Sequence, residues 1–285
     1  MKQIEFLRTI IYQLIGENQF LLNAIDCVKQ RDDTVPFVDL SNCGGSSYWP
    51  PRRIIIGVPD IIGCNDLLQS IDILQDEDLI FQIIKNYWDL KDRFKRCSGV
   101  IVNMPMTQFE CDEIENLLKK SCFLKDEKCL SIYDAATIYS LAYSLYHEFG
   151  HVIHNEYIPD SAPFKRENVA DTFAFEAVKS MMNDKNEIII IVGVFISIIY
   201  VLKKRTPKEE TDDKDHPHSI ERLYSFLLFW GIPDDSDYWK LAYEVISKWC
   251  NKNRLPITWE RATSESPKDK FTDAYMYFRK TSQNS

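Results

Sequence analysis

The sequence predicts an α+β fold in which helices predominate and a small β-sheet is inserted, and three observations carry that expectation. Apolar residues recur at helical spacing from Ile4 to Ile15 and again along the stretch after Ser131. Two short β-branched runs, Ile54-Ile55-Ile56-Gly57-Val58 and Gly99-Val100-Ile101-Val102-Asn103, stand near Gly and Pro breakers. The 285 residues are 45% hydrophobic and 27% charged, which is enough apolar material for a sizeable core and excludes a disordered or low-complexity chain.

The elements follow in chain order. Ile4, Leu7, Ile10, Ile11, Leu14 and Ile15 form the core-facing stripe of an N-terminal helix in the segment Ile4 to Lys29. The breakers of Asn42 to Pro51, Gly44-Gly45 and Pro50-Pro51, separate it from the first short strand. Asn65 to Phe94 alternates acidic and apolar residues at helical period, and the second strand follows, ending before Pro105. Thr107 suits the cap of a helix running to Lys120, and Ser131 or Asp134 suits the start of a long helix that continues past His154. Pro163, a favoured first-turn residue, opens another helix to about Met182, whose small Ala residues permit close packing.

Ile188 to Leu202 is an apolar block with Ser197 as its clearly polar member. As a helix it spans about 22 Å, short of the roughly 30 Å hydrocarbon core of a bilayer, so a buried core helix is expected rather than a membrane span. The acidic run Glu209 to Asp215 reads as a solvated loop. Ala262 to Ser285 is a mostly polar tail in which Phe271, Tyr275 and Phe278 can dock a last helix. The expected division is an N-terminal region 1–130, a catalytic core 131–261 and the tail 262–285, within one compact unit.

The formal net charge is −9 and the longest basic run is Lys203-Lys204-Arg205, so no stripe offers itself to a phosphate backbone and nucleic acid is not an expected partner. Eight cysteines occur without a C-x-x-C pair, which argues for reduced thiols rather than a zinc ribbon or a thioredoxin-type site. Glu5, Arg8 and Gln13 interrupt the apolar residues of Met1 to Gly16, leaving no signal-peptide core, and a cytoplasmic protein is expected.

All five histidines fall in two clusters: His147, His151 and His154, then His216 and His218. His147-Glu148-Phe149-Gly150-His151 is the H-E-x-x-H pattern. Residues four apart on a helix lie about 40° apart around the axis, so both imidazoles can reach one Zn²⁺, and Glu148, about 100° round from His147, can act as general base toward the attacking water. A catalytic zinc needs a third protein ligand and an open position. The metzincin spacing fails, because His154 and Tyr157 stand where its Gly and third His belong. Glu167 on the next helix is the candidate third ligand, with Glu156 or Asp160 as substitutes if the helices pack otherwise. Asp171, four residues on from Glu167, is placed to accept an N–H from a zinc imidazole. His154 lies one turn too far along the axis to share the metal unless the helix bends. His216 and Arg222, with His218 or a tyrosine as further options, are the candidates for meeting charge on a tetrahedral oxyanion; alternatively His216 caps a helix and Arg222 pairs with a surface carboxylate.

The series His147-Glu148-Phe149-Gly150-His151, Glu167-Asn168-Val169-Ala170-Asp171 and His216-Pro217-His218-Ser219-Ile220-Glu221-Arg222 resembles the gluzincin-type metallopeptidases. The His-Pro and Arg pairing is similar to that of the HtpX and CAAX-protease relatives, which carry membrane spans that this chain does not match. Size, motif position and soluble character resemble the Lit-type phage-exclusion peptidases. The resemblance covers about His147 to Arg222 and implies a zincin-like core with zinc on His147, His151 and Glu167, Glu148 as base, Asp171 behind a ligand, and His216 with Arg222 on the oxyanion side. It implies a protein substrate, with translation elongation factor Tu as the candidate, a phage-encoded activator and a role in defence. The ImmA/IrrE-type regulatory peptidases, which cut repressors, share H-E-x-G-H with a nearby His but have Asn where Asp171 stands. A non-catalytic module stapled by zinc is the remaining alternative.

Overall fold

The computed structural model describes residues 3–29, 37–42, 47–49, 53–70, 108–125, 131–154, 163–184, 186–212, 217–255 and 266–283. The expected second strand at Gly99, the distal part of the helix expected to Phe94, and His216 lie outside the described residues. The chain divides into two compact units, Met1–Ser161 with Val169–Ser197, and Ala162–Asn168 with Ile198–Ser285. Helices predominate, and a small sheet accompanies them.

In the first unit, α1 (Gln3–Gly16) buries Ile4, Leu7, Ile10, Ile11 and Leu14, the stripe that its spacing dictates. The expected single N-terminal helix is broken, and α2 (Gln19–Lys29) begins afresh. Asn18 is the cause: its Oδ1 accepts from Leu21 N at 3.0 Å, and its Nδ2 donates to Ala177 O at 2.8 Å. Three strands follow, β1 (Phe37–Ser41), β2 (Ser47–Trp49) and β3 (Arg53–Gly57), in the order β1-β3-β2. β1 runs parallel to β3 and pairs Val38 with Ile54 and Leu40 with Ile56, all four buried, while β2 is antiparallel to β3. The apolar run at Ile54 announces β3, but β1 and β2 are too short and too mixed in composition to give a period. α3 (Val58–Ser70) packs on the central helix, and α4 (Gln108–Lys120) packs against α1 and α3.

That helix, α5 (Ile132–His154), opens with reciprocal caps: Ser131 Oγ accepts from Asp134 N at 3.0 Å, and Asp134 Oδ2 accepts from Ser131 N at 2.9 Å. Its residues are buried on nearly every side, as expected of a helix in the middle of a core. α6 (Pro163–Lys179) follows. Then comes the apolar block, α7 (Glu187–Lys204), with Ile189, Ile190, Val194, Phe195 and Ile196 buried. No helix among the described residues is long and apolar enough to cross a membrane. At Gly193, α7 meets α5 backbone to backbone: a Cβ there would lie 2.5 Å from Ala136 O and 2.7 Å from Tyr139 Cβ. Gly193→Ala would gain about 1 kcal/mol of helix propensity and cost about 1–3 kcal/mol or more in overpacking against immovable backbone. A lowered Tm is the expected outcome, and a Tm equal to or above wild type would contradict the contact.

The second unit contains α8 (Pro207–Asp212), α9 (Ser219–Phe229), α10 (Asp237–Lys252) and α11 (Pro267–Gln283). Trp239, Phe226 and Phe271 are fully buried, and Tyr224 stacks on Tyr275 with centroids 4.8 Å apart. The polar tail therefore docks through Phe271 and Tyr275; the side chain of Phe278 lies outside the described residues. The acidic run is not the solvated loop its composition suggests. Thr206 and Glu209 cap each other and start α8, and Glu210 on the next position is only 2% exposed.

Glu210 accepts from Ser219 N at 2.9 Å and from Ser219 Oγ at 2.7 Å, so a side chain from α8 caps the N-terminus of α9. His218 Nδ1 stands 3.7 Å and Arg205 Nη1 3.8 Å from the same carboxylate. Burial pushes the Glu210 carboxyl up, but hydrogen bonds from His218 and Ser219 outweigh it and leave the group below the usual carboxylate range. The hydrogen bond to Glu210 raises the His218 imidazole, against its own desolvation. The carboxylate contributes stability above its unfolded titration range and loses it as pH falls. The imidazole contributes below its unfolded value and loses it as pH rises through the folded one. The Tm deficit of Glu210→Gln is therefore expected to be largest at roughly pH 5 to 6.5 and smaller at alkaline pH, where the Ser219 bonds and the Arg205 charge remain but the imidazolium is lost. A deficit independent of pH would exclude the ionic part of the cluster.

Candidate metal centre

The H-E-x-x-H segment occupies the last two turns of α5, and its glycine sets the packing. A Cβ on Gly150 would lie 2.8 Å from Ala170 Cα and 3.1 Å from Ala170 O, so α6 reaches the α5 backbone where both helices carry small residues. This contact brings two rows of side chains face to face. Tyr143 and His147 stand one turn apart on α5, and Asp171 and Phe175 one turn apart on α6.

His147 Nδ1 lies 2.9 Å from Asp171 Oδ1, and both residues are buried. The same carboxylate oxygen accepts the Tyr143 hydroxyl at 2.8 Å, while the Tyr143 ring stacks on Phe175 with centroids 5.6 Å apart and planes 13° apart. A carboxylate this close to Nδ1 favours the tautomer that carries its proton there, which leaves a lone pair on Nε2. That Nε2 is 3.1 Å from Nε2 of His151, with the ring planes perpendicular at 89°. Two imidazole nitrogens sharing one tetrahedral zinc at about 2.0–2.1 Å would stand about 3.3 Å apart, so the pair is arranged as joint ligands of a cation would be.

Glu167 precedes Asp171 by one turn, and α6 runs unbroken from one to the other. Ligand atoms of His147, His151 and Glu167 lie within 4.8 Å of one another, and this group can hold a metal ion. Two imidazoles and a carboxylate are the donor set of a catalytic zinc, with one position left over for water or substrate. The Glu167 side chain is 12% exposed, and its Oε2 accepts from Arg222 Nη2 at 2.7 Å. Arg222 lies on α9 and is itself only 15% exposed, so its partner is this buried carboxylate rather than one on the surface. Glu148, the neighbour of His147, is 6% exposed.

The remaining histidines are placed elsewhere. His154 packs edge-on against Phe173 at 5.6 Å, and burial holds its imidazole below the ordinary value. His218 belongs to the Glu210 cluster. His216, Glu156 and Asp160 lie outside the described residues. Among the described residues Cys27, Cys64, Cys111, Cys122 and Cys250 form no disulfide. Two parts of the centre carry no motif. Tyr143 has as its only sequence signal a position four residues before His147, and the Gly150–Ala170 approach becomes legible only once two helices are known to cross there.

Comparison with known proteins gives the chain a family. The family described as Peptidase U49 matches residues 80–242, more than half of the chain, and the match takes in every residue of the centre. No curated protein and no solved structure matches the chain. The chain accordingly belongs to the Peptidase U49 family and is a peptidase.

Proposed function

We propose that this peptidase is a zinc-dependent endopeptidase of the cytoplasm that cleaves one or few protein substrates with an activated water. The observation that carries the reading is the convergence of His147, His151 and Glu167, with Asp171 behind His147. Zinc bound there would polarise the scissile carbonyl and lower the pKa of the attacking water.

The chain's own residues supply the rest. Glu148 takes the proton from the attacking water and delivers it to the leaving amine. Asp171 keeps His147 in the tautomer whose Nε2 faces His151. Arg222, held on Glu167, and His216 are assigned to the side where charge gathers on the carbonyl oxygen. The resemblance to the Lit-type peptidases supports translation elongation factor Tu as the substrate, a phage-encoded activator and a role in antiviral defence.

Glu148→Gln is expected to keep the fold and a full equivalent of metal while cleavage falls by at least about 100-fold, the lower end of what a general base contributes. Terminal-labelling proteomics on cells expressing wild type or Glu148→Gln reads the outcome. A new terminus in elongation factor Tu, present with wild type and absent with the variant, is the expected result. A shortened repressor instead would favour the ImmA/IrrE-type reading, and unchanged cleavage by Glu148→Gln would remove that residue from the mechanism.

A further inference from the structure

We infer that Tyr143 is a positioning residue of the metal centre, acting on His147 through Asp171; this rests on the zinc reading above. Asp171 Oδ1 faces two donor groups, the hydroxyl of Tyr143, which it accepts at 2.8 Å, and Nδ1 of His147, which lies 2.9 Å away. Tyr143 is 4% and Asp171 5% exposed, so water does not readily replace either donor. A carboxylate that backs a ligand imidazole must be turned so that one oxygen meets Nδ1, and the Tyr143 hydroxyl fixes that rotation.

The Tyr143 ring is held independently of its hydroxyl. It stacks on Phe175, one turn beyond Asp171 on α6, and lies one turn before His147 on α5. The four side chains form a two-by-two block in which Tyr143 and Phe175 provide the apolar half and His147 and Asp171 the polar half. Removing the hydroxyl alone should leave the block standing and slacken only the carboxylate. Loosening an outer hydrogen-bonding partner of a metal histidine typically costs 10–100-fold in metal affinity, and a partner one bond further out is expected to cost roughly 3- to 10-fold.

The test measures zinc affinity by chelator competition, with Tm alongside, on wild type, Tyr143→Phe, Asp171→Asn, the double variant and Phe175→Leu. Wild type must first bind one equivalent that His147→Ala abolishes; if it does not, the zinc reading itself fails. Given that, Tyr143→Phe should weaken binding roughly 3- to 10-fold with Tm almost unchanged, and should add nothing in the Asp171→Asn background, where the oxygen it serves is already altered. Phe175→Leu should lower Tm without moving the affinity. Equal affinity for Tyr143→Phe and wild type, or a loss that persists undiminished in the Asp171→Asn background, would overturn the role through Asp171.

Discussion

The approach of α5 to α6 at Gly150 and Ala170 is the constraint on which the metal centre depends. With the Cα of Ala170 2.8 Å and its carbonyl oxygen 3.1 Å from where a Cβ on Gly150 would stand, Gly150 admits no larger side chain without pushing the helices apart. A parting of even 1 Å at that crossing would stretch the 2.9 Å His147–Asp171 contact beyond hydrogen-bonding range. The glycine inside the H-E-x-x-H segment is thus as necessary to the centre as the histidines around it. The backbone contact at Gly193 does the same for α7 against the opposite end of α5.

The centre buries carboxylates, which is costly unless each is supplied with donors. Asp171 has Tyr143 and His147, and Glu167 has Arg222. Asp171 stands at Nδ1 of His147, and Nε2 is the nitrogen turned toward His151, as joint ligation of a cation requires. The same solution recurs far from the chemistry, at Glu210, where backbone, hydroxyl, imidazole and guanidinium groups meet one buried carboxylate and the result is a helix cap.

Much of this was legible from residue spacing, and the reasons for the remainder are physical. Periodic segments announced α1 and α5, because a helix that buries a face must repeat its apolar residues, while Pro163 announced α6 and the apolar block Ile188 to Leu202 announced α7. The i, i+4 histidines and the i, i+4 Glu167 and Asp171 named the residues of the centre, since on a helix those intervals fix a common face. Asn18 interrupts a continuous stripe by capping from within it, a local bond that periodicity does not register. β1 and β2 draw their order from pairing with β3 rather than from their own five and three residues. Glu210 looked solvated because its neighbours are acidic, yet a capping box on the preceding residues turns it inward. The partner of Arg222 depends on a contact across 55 residues of sequence, and no local pattern encodes it.

Zinc K-edge X-ray absorption of the purified protein, with metal content determined on the same samples, tests the central claim most directly. The account predicts one zinc per chain in a shell of two imidazoles and oxygen donors without sulfur, lost in His147→Ala and in His151→Ala and altered in its oxygen scattering in Glu167→Ala. A shell containing sulfur, or a zinc content that survives both histidine substitutions, would contradict it.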